Sequence, residues 1–192
     1  MEKTALVLVA FSLALAMAMP VVHSTIGDPK EVDEWLHKIQ HAKQKMTRFH
    51  FYLHDTVAGQ NVSAMRVAQA SITDKTPTLF GLTIMMDDPL TEGPELTSKQ
   101  VGRAQGLYGL SGLNEMSVLI VMNLAFTSGE YNRSTLTILG RYGPSQTIQE
   151  TPIVGGSGVF RLAHGIATST LYSSNATNGN VVIEFNVVAI HY

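Results

Sequence analysis

From Arg48 onward the chain is a succession of short runs that alternate apolar and polar residues, each stopped by a turn signal. A period of two puts successive side chains on opposite faces of a strand, a pattern that a helix cannot use. Eight strands are predicted, at about 48–56, 62–72, 79–87, 101–111, 116–127, 134–141, 159–170 and 180–191, with breaks such as Asp74-Lys75-Thr76-Pro77, Gly93-Pro94 and Asn178-Gly179 between them. Short links favour antiparallel neighbours, and eight such strands hide their edges most simply by closing on themselves. The expected fold is all-β: an eight-stranded antiparallel up-and-down β-barrel over residues 48–192, with no linker or repeat to mark a second domain.

Residues 25–47 read as an N-terminal helical extension. A helix is predicted over 29–47, where Val32, Trp35, Leu36, Ile39, Ala42 and Met46 recur at helical spacing. His37 and His41 stand at i, i+4, a spacing a metal uses, but no third ligand lies near, so an ordinary solvated face is expected and no metal. Residues 1–24 have the form of a secretory signal: Lys3, an apolar run from Ala5 to Met19 broken only by Ser12, then Pro20 and Val22-His23-Ser24 before a cleavage point. Three acceptor sequons, at Asn61, Asn132 and Asn175, fit export and glycosylation. The absence of cysteine removes disulfides, so the core must hold the fold unaided. A net charge of −2 offers no basic stripe for nucleic acid.

The faces of the strands carry the functional signal. Val118, Ile120, Met122, Leu124 and Phe126 form one apolar row, as do Val181, Ile183, Phe185 and Val187, and such rows could face either a barrel interior or a partner subunit. Phe49, Phe51 and Leu53 share a face with Asp55, so a carboxylate ends an otherwise apolar row. His50, Tyr52 and His54 take the other face and read as surface or interface residues. In "SKQVGRAQGLYGL", Gly102, Ala104 and Gly106 precede Tyr108 on one face. Small residues there either leave a hollow for a ligand or admit a close-packed neighbour, and the residues alone support both readings. Asp55 likewise reads either as an acid with its pKa raised by burial or as a carboxylate bonded to backbone at a strand end. "GGSG" at 155–158 lacks the Lys-Ser/Thr of a phosphate loop and is predicted to be a hairpin with glycines at positive φ.

"FYLHD", "SKQVGRAQGLY", "YNRSTLTILGR" and "VGGSGVFRLAHGIA" occur in that order, and over about 48–192 the chain resembles the dirigent family of plants. The resemblance implies a secreted cell-wall barrel, a homo-oligomer that is usually a trimer with a dimer as the alternative, that needs no cofactor and oxidises nothing itself. A separate laccase or peroxidase makes phenoxy radicals from a monolignol such as coniferyl alcohol, and the barrel binds them so that coupling yields one enantiomer. Some relatives act instead on quinone methide precursors, with acid residues assisting loss of water or ring closure; a passive carrier of a hydrophobic ligand is a third possibility. By the same resemblance Asp55 and Tyr108 are pocket residues. A second pocket Asp of lignan-forming members is replaced by Tyr142, and two arginines by Gln149 and His164. Those replacements imply a substrate-orienting pocket with less acid catalysis and lead away from pinoresinol formation.

Overall fold

The computed structural model describes residues 29–143 and 146–192, so the expected signal segment lies outside the described residues. Helix α1 (Pro29–Gln40) belongs to a unit separate from the body, Lys43–Tyr192. It ends well short of the predicted 47, because from Lys45 the alternation of Thr47, Phe49 and Phe51 commits the chain to a strand. His37 and His41 meet edge to face at its end, ring centres 5.4 Å apart. None of the described helices is long and apolar enough to cross a membrane.

Nine strands make the body: β1 (Lys45–Asp55), β2 (Ala64–Ala68), β3 (Thr83–Thr91), β4 (Gln100–Leu110), β5 (Val118–Phe126), β6 (Thr135–Tyr142), β7 (Ile148–Ser157), β8 (His164–Ser174) and β9 (Val181–His191). Eight close a ring, running β1-β9-β8-β7-β6-β5-β4-β3 and back to β1, all antiparallel; β2 pairs with β3 alone. The predicted barrel is therefore present, but not with the predicted eight strands. The run at 62–72 shrinks to β2 outside the ring, and β7 takes its place. β7 was missed because "GGSG" reads as a hairpin. The ladder from β6 stops at Ile138↔Ile153, so Pro152 lies where its missing N–H leaves no bond to β6 unmade. Gly155 and Gly156 extend β7 opposite Thr137 and Leu136, and only Gly158 takes a positive φ (63°), opening the turn to Phe160. The predicted glycine hairpin is a strand end.

The row of small residues on β4 faces a row of large ones on β5. Gly102 lies opposite Phe126, Ala104 opposite Leu124, Gly106 opposite Met122 and Tyr108 opposite Ile120. A Cβ on Gly106 would sit 2.1 Å from the Val121 carbonyl oxygen, and one on Gly102 2.5 Å from that of Ala125. Of the two readings left open, close approach of a neighbour is the one observed: these glycines let β5 fold over β4, and the space they leave is filled from β5.

The interior is unequally filled. At one end Phe49, Phe126, Phe160 and Tyr131 form a ring cluster with neighbouring centres as close as 4.7 Å, and His191 meets Phe160 edge-on at 5.0 Å. Midway, Phe51 and Phe185, paired across β1 and β9, stack at 5.7 Å. Beyond them the inward aromatic side chains among the described residues are Tyr108 and Tyr142, which line a cavity.

Candidate active site

The site begins where two strands part. Between β1 and β3 the ladder holds Tyr52↔Thr91 and Leu53↔Leu90, then stops. The same register carried further sets His54 opposite Pro89 and Asp55 opposite Asp88. From Met86 the edge of β3 is taken up by β2 instead, through Ala64↔Met86 and the Asp87 N–H bonded to the Ser63 carbonyl at 2.9 Å. Pro89 falls in the unpaired stretch, where a residue without an N–H costs no ladder bond on that side. Alternation continues through it, so Met86, Asp88 and Leu90 all point inward and are buried. Ala104, opposite Asp88 on β4, leaves room for the carboxyl.

Two carboxyl groups thus end up inside the barrel. Asp88 is fully buried, and neither of its oxygens has a hydrogen-bond partner. Burial pushes its pKa up to about 7, the nearby Asp55 charge adds to this, and the Ser63 hydroxyl and Arg103 offset only part. Asp55 is also buried, with Oδ1 unpartnered. Its pKa is raised by burial, but the Tyr108 hydroxyl, acting as a donor toward it, favours the ionised form. Burial and the two carboxylates raise the Tyr108 pKa strongly, keeping it a protonated donor. Of the two carboxyls, Asp88 thus holds its proton toward neutral pH, while the Tyr108 donor favours charge on Asp55.

These groups open onto a cavity of about 240 Å³. Leu53, Met86, Met122 and Phe185 form its deeper wall, Val118, Ile120, Val181 and Ile183 its sides, and Val57 and Gly179 its mouth. Its polar groups are Asp55, Asp88, Tyr108 and Tyr142. The Ser169 hydroxyl donates to the Tyr142 phenol oxygen at 2.8 Å, and burial raises the Tyr142 pKa.

The sequence-predicted residues are only partly brought together. Asp55, Tyr108 and Tyr142 share the cavity. Gln149 does not line it: its side chain ties the link between β6 and β7, accepting from the Gly143 N–H at 3.1 Å and donating to the Gly143 and Gln146 carbonyls at 3.1 and 2.6 Å. His164 is exposed at the start of β8, away from the cavity. The small stretch Gly102, Ala104, Gly106 does not line it either. His54, predicted at the surface, is buried: its Nε2 lies 2.7 Å from the Thr91 hydroxyl, and burial lowers its pKa. The sequon residues Asn61, Asn132 and Asn175 are exposed. Asp88 was missed because the predicted third strand ended at 87, before Pro89. The hydropathy of "MMDDPL" does not alternate, so no local signal marked Asp88 as inward; its burial shows only once the strand runs on through Pro89. With Asp88 present, the loss of a carboxyl at Tyr142 does not leave the cavity with a single acid.

Comparison with known proteins agrees with this architecture. A family model described as Dirigent-like protein matches residues 46–190. Dirigent protein 23 of Arabidopsis thaliana is 39% identical over 178 residues, spanning 92% of this chain and 93% of its own. Pterocarpan synthase 1 of Glycyrrhiza echinata is 44% identical over 151 residues, covering 78% of this chain and 80% of its own. Among solved structures, the pterocarpan synthase dirigent protein GePTS1 superposes with a TM-score of 0.73 at 43% identity, over 79% of this chain and 87% of that one. On a closed eight-stranded barrel, a family match over nearly all of it and relatives of this identity, the chain belongs to the dirigent family.

Proposed function

We propose that the cavity binds a phenolic benzylic alcohol and directs its acid-assisted dehydration and ring closure to one enantiomer through a quinone methide. The carrying observation is the pair of inward carboxyls, Asp55 and Asp88, one of them with a pKa of about 7. Protonated Asp88 gives its proton to the leaving hydroxyl, which departs as water. The Asp55 carboxylate accepts the proton of the substrate phenol, leaving a neutral quinone methide. A second phenol of the same guest then adds to the exposed carbon, its proton returns to Asp88, and the proton on Asp55 returns to the carbonyl oxygen, for a net loss of one water. The apolar wall fixes which face is attacked; a difference of about 2.7 kcal/mol between the two approaches suffices for a hundredfold preference. The name of the Glycyrrhiza echinata relative supports this class of substrate.

A second reading, coupling of phenoxy radicals made by a separate laccase or peroxidase, is favoured by the two phenols Tyr108 and Tyr142 in an otherwise apolar cavity, where they hold guest oxygens by hydrogen bonds. Racemic 2′-hydroxylated isoflavan-4-ol is incubated with the protein alone, and coniferyl alcohol with protein plus laccase, each followed by chiral chromatography. Oxidase-free turnover to one enantiomer supports the first reading; enantiomeric excess only with laccase supports the second. Racemic or unchanged material in both arms refutes the two together.

Export, glycosylation at Asn61, Asn132 and Asn175, and self-association, as a trimer, belong to the same proposal. Self-association is supported by an apolar stripe on the outer wall, where Met65, Met85, Leu107, Val121 and Leu139 lie in register across β2 to β6. Met65, Met85 and Leu139 are exposed. Light scattering gives the number of copies; a monomer at micromolar concentration refutes this part.

A further inference from the structure

We propose that Asn180 is a positioning residue for the guest: its carboxamide pins the β1–β2 link across the cavity mouth and so sets how a bound phenol is held against the two carboxyls. This inference rests on the functional reading above.

The mouth is formed by two segments far apart in sequence, the link after β1 and the hairpin between β8 and β9. The hairpin is stiffened from within. The Gly179 N–H donates to the Asn175 carbonyl at 2.8 Å and the Thr177 N–H to Asn175 Oδ1 at 2.9 Å. The Asn180 N–H donates to Asn178 Oδ1 at 3.1 Å, and the Asn180 carbonyl accepts from the Asn175 N–H at 2.9 Å. Asn180 is thereby held at both backbone groups, which leaves its side chain aimed at the other segment.

The link after β1 is closed at its base by Thr56 and Ser63. The Ser63 and Ala64 N–H groups donate to the Thr56 carbonyl at 2.9 and 3.1 Å, and the Thr56 N–H donates to Ser63 Oγ at 3.1 Å. Its next two residues are tied by Asn180. Asn180 Oδ1 accepts from the Val57 and Ala58 N–H groups at 3.0 and 3.1 Å, and Asn180 Nδ2 donates to the Ala58 carbonyl at 3.0 Å. Only a carboxamide supplies both an acceptor and a donor at that reach: Asp keeps the acceptor and loses the donor, and Ala loses both.

The tie has a direct consequence for the cavity, because Val57 is one of its walls. Gly179 lets that wall close: at φ +79° a Cβ there would come within 3.3 Å of Val57 Cγ2. Releasing Val57 therefore widens the mouth beside Asp55, admits water to the carboxyls and removes one face of the chiral wall.

The test compares wild type, Asn180→Ala and Asn180→Asp, each checked for folding by circular dichroism. Amide hydrogen exchange at Val57 and Ala58 is read first, then the dissociation rate of a 2′-hydroxylated isoflavan lacking the 4-hydroxyl, which cannot dehydrate, then the enantiomer ratio of the product formed from racemic 2′-hydroxylated isoflavan-4-ol. Expected in Asn180→Ala are exchange and guest dissociation faster by about tenfold each, the loss of a hydrogen bond or two, with a lower enantiomer ratio and Asn180→Asp between the two. Wild-type exchange rates at Val57 and Ala58 in Asn180→Ala overturn the proposal. Faster exchange with unchanged guest dissociation and enantiomer ratio also overturns it, since the clamp then serves only the fold. Should wild type bind no phenol, the functional reading fails, and the exchange arm alone decides the clamp.

Discussion

Asp88→Asn should make the protein more stable at neutral pH while removing its acid. In the native state burial holds the Asp88 carboxyl at a pKa of about 7, with Ser63 and Arg103 offsetting only part, against 3.8 in an unfolded chain. Between those two values the unfolded chain has released this proton and the folded one retains it. Stability therefore falls as pH rises from 3.8 through about 7, and levels off above. Over that span the rise corresponds to about 4 kcal/mol, and relaxation of the site trims it to about 2–4 kcal/mol. Asparagine has the shape of the protonated acid and cannot ionise, so the penalty disappears.

Urea titrations at pH 4 and pH 8 measure the effect. Near pH 4 the variant and wild type should agree within about 1 kcal/mol, and at pH 8 the variant should exceed wild type by about 2–4 kcal/mol, or about 5–10 °C in Tm. Some slope should remain in the variant, because the Asp55 pKa is also raised and acts with the same sign. The same substitution should lower oxidase-free turnover by about a hundredfold or more, the usual worth of a positioned general acid. A difference between variant and wild type that is the same at pH 4 and pH 8 would refute the reasoning: Asp88 would then be ionised or already paired in the native protein.

Gly106→Ala should destabilise the barrel by about 3 kcal/mol in chemical denaturation, since its Cβ would meet backbone of β5 and not a movable side chain. Phe160→Ala, which removes a fully buried ring from the aromatic plug, should cost about 3–5 kcal/mol in the same measurement and leave guest affinity unchanged, because Phe160 does not line the cavity. Tyr108→Phe removes the donor that favours ionised Asp55, so the Asp55 titration followed by carboxyl carbon shifts should move to higher pH.

How far the sequence could be read depends on where each signal is local. Alternation is local, so the rows Phe49-Phe51-Leu53-Asp55 and Val181-Ile183-Phe185-Val187 were legible as single faces, and the structure turns both inward; closure of eight strands follows from short links. Two of the failures in strand assignment, the early end of β3 and the missed β7, involve a proline, and the third is the run at 62–72, which pairs outside the ring. Pro89 and Pro152 each sit where the strand has let go of one neighbour. Whether a proline is tolerated depends on the far strand, which sequence spacing does not reveal. The glycines of β4 failed for a similar reason, because the residues that fill their space, Met122 and Phe126, lie on another strand and become opposite only once the register exists. Gln149 and His164 were named by resemblance, and a position matched in a motif carries no information on whether its side chain turns inward.

The same strand parting that hid the site also explains its chemistry. A continuous ladder between β1 and β3 would set two carboxyls face to face as a closely spaced pair, which cross-strand repulsion disfavours. Separation after Leu53 and Leu90 relieves the backbone there, moves pairing of β3 to β2, and leaves Asp55 and Asp88 facing the hollow. Their environments then diverge, since Tyr108 supports charge on Asp55, whereas burial outweighs what Ser63 and Arg103 offer Asp88. On the proposed function, two identical side chains would serve as acid and base, and with only two ladder pairs the β1–β3 seam should be the least stable of the barrel. Opening by hydrogen exchange should accordingly appear first at the β1–β3 edge, at residues 53–55 and 88–90, and protection there equal to that of the β8–β9 ladder would contradict this account.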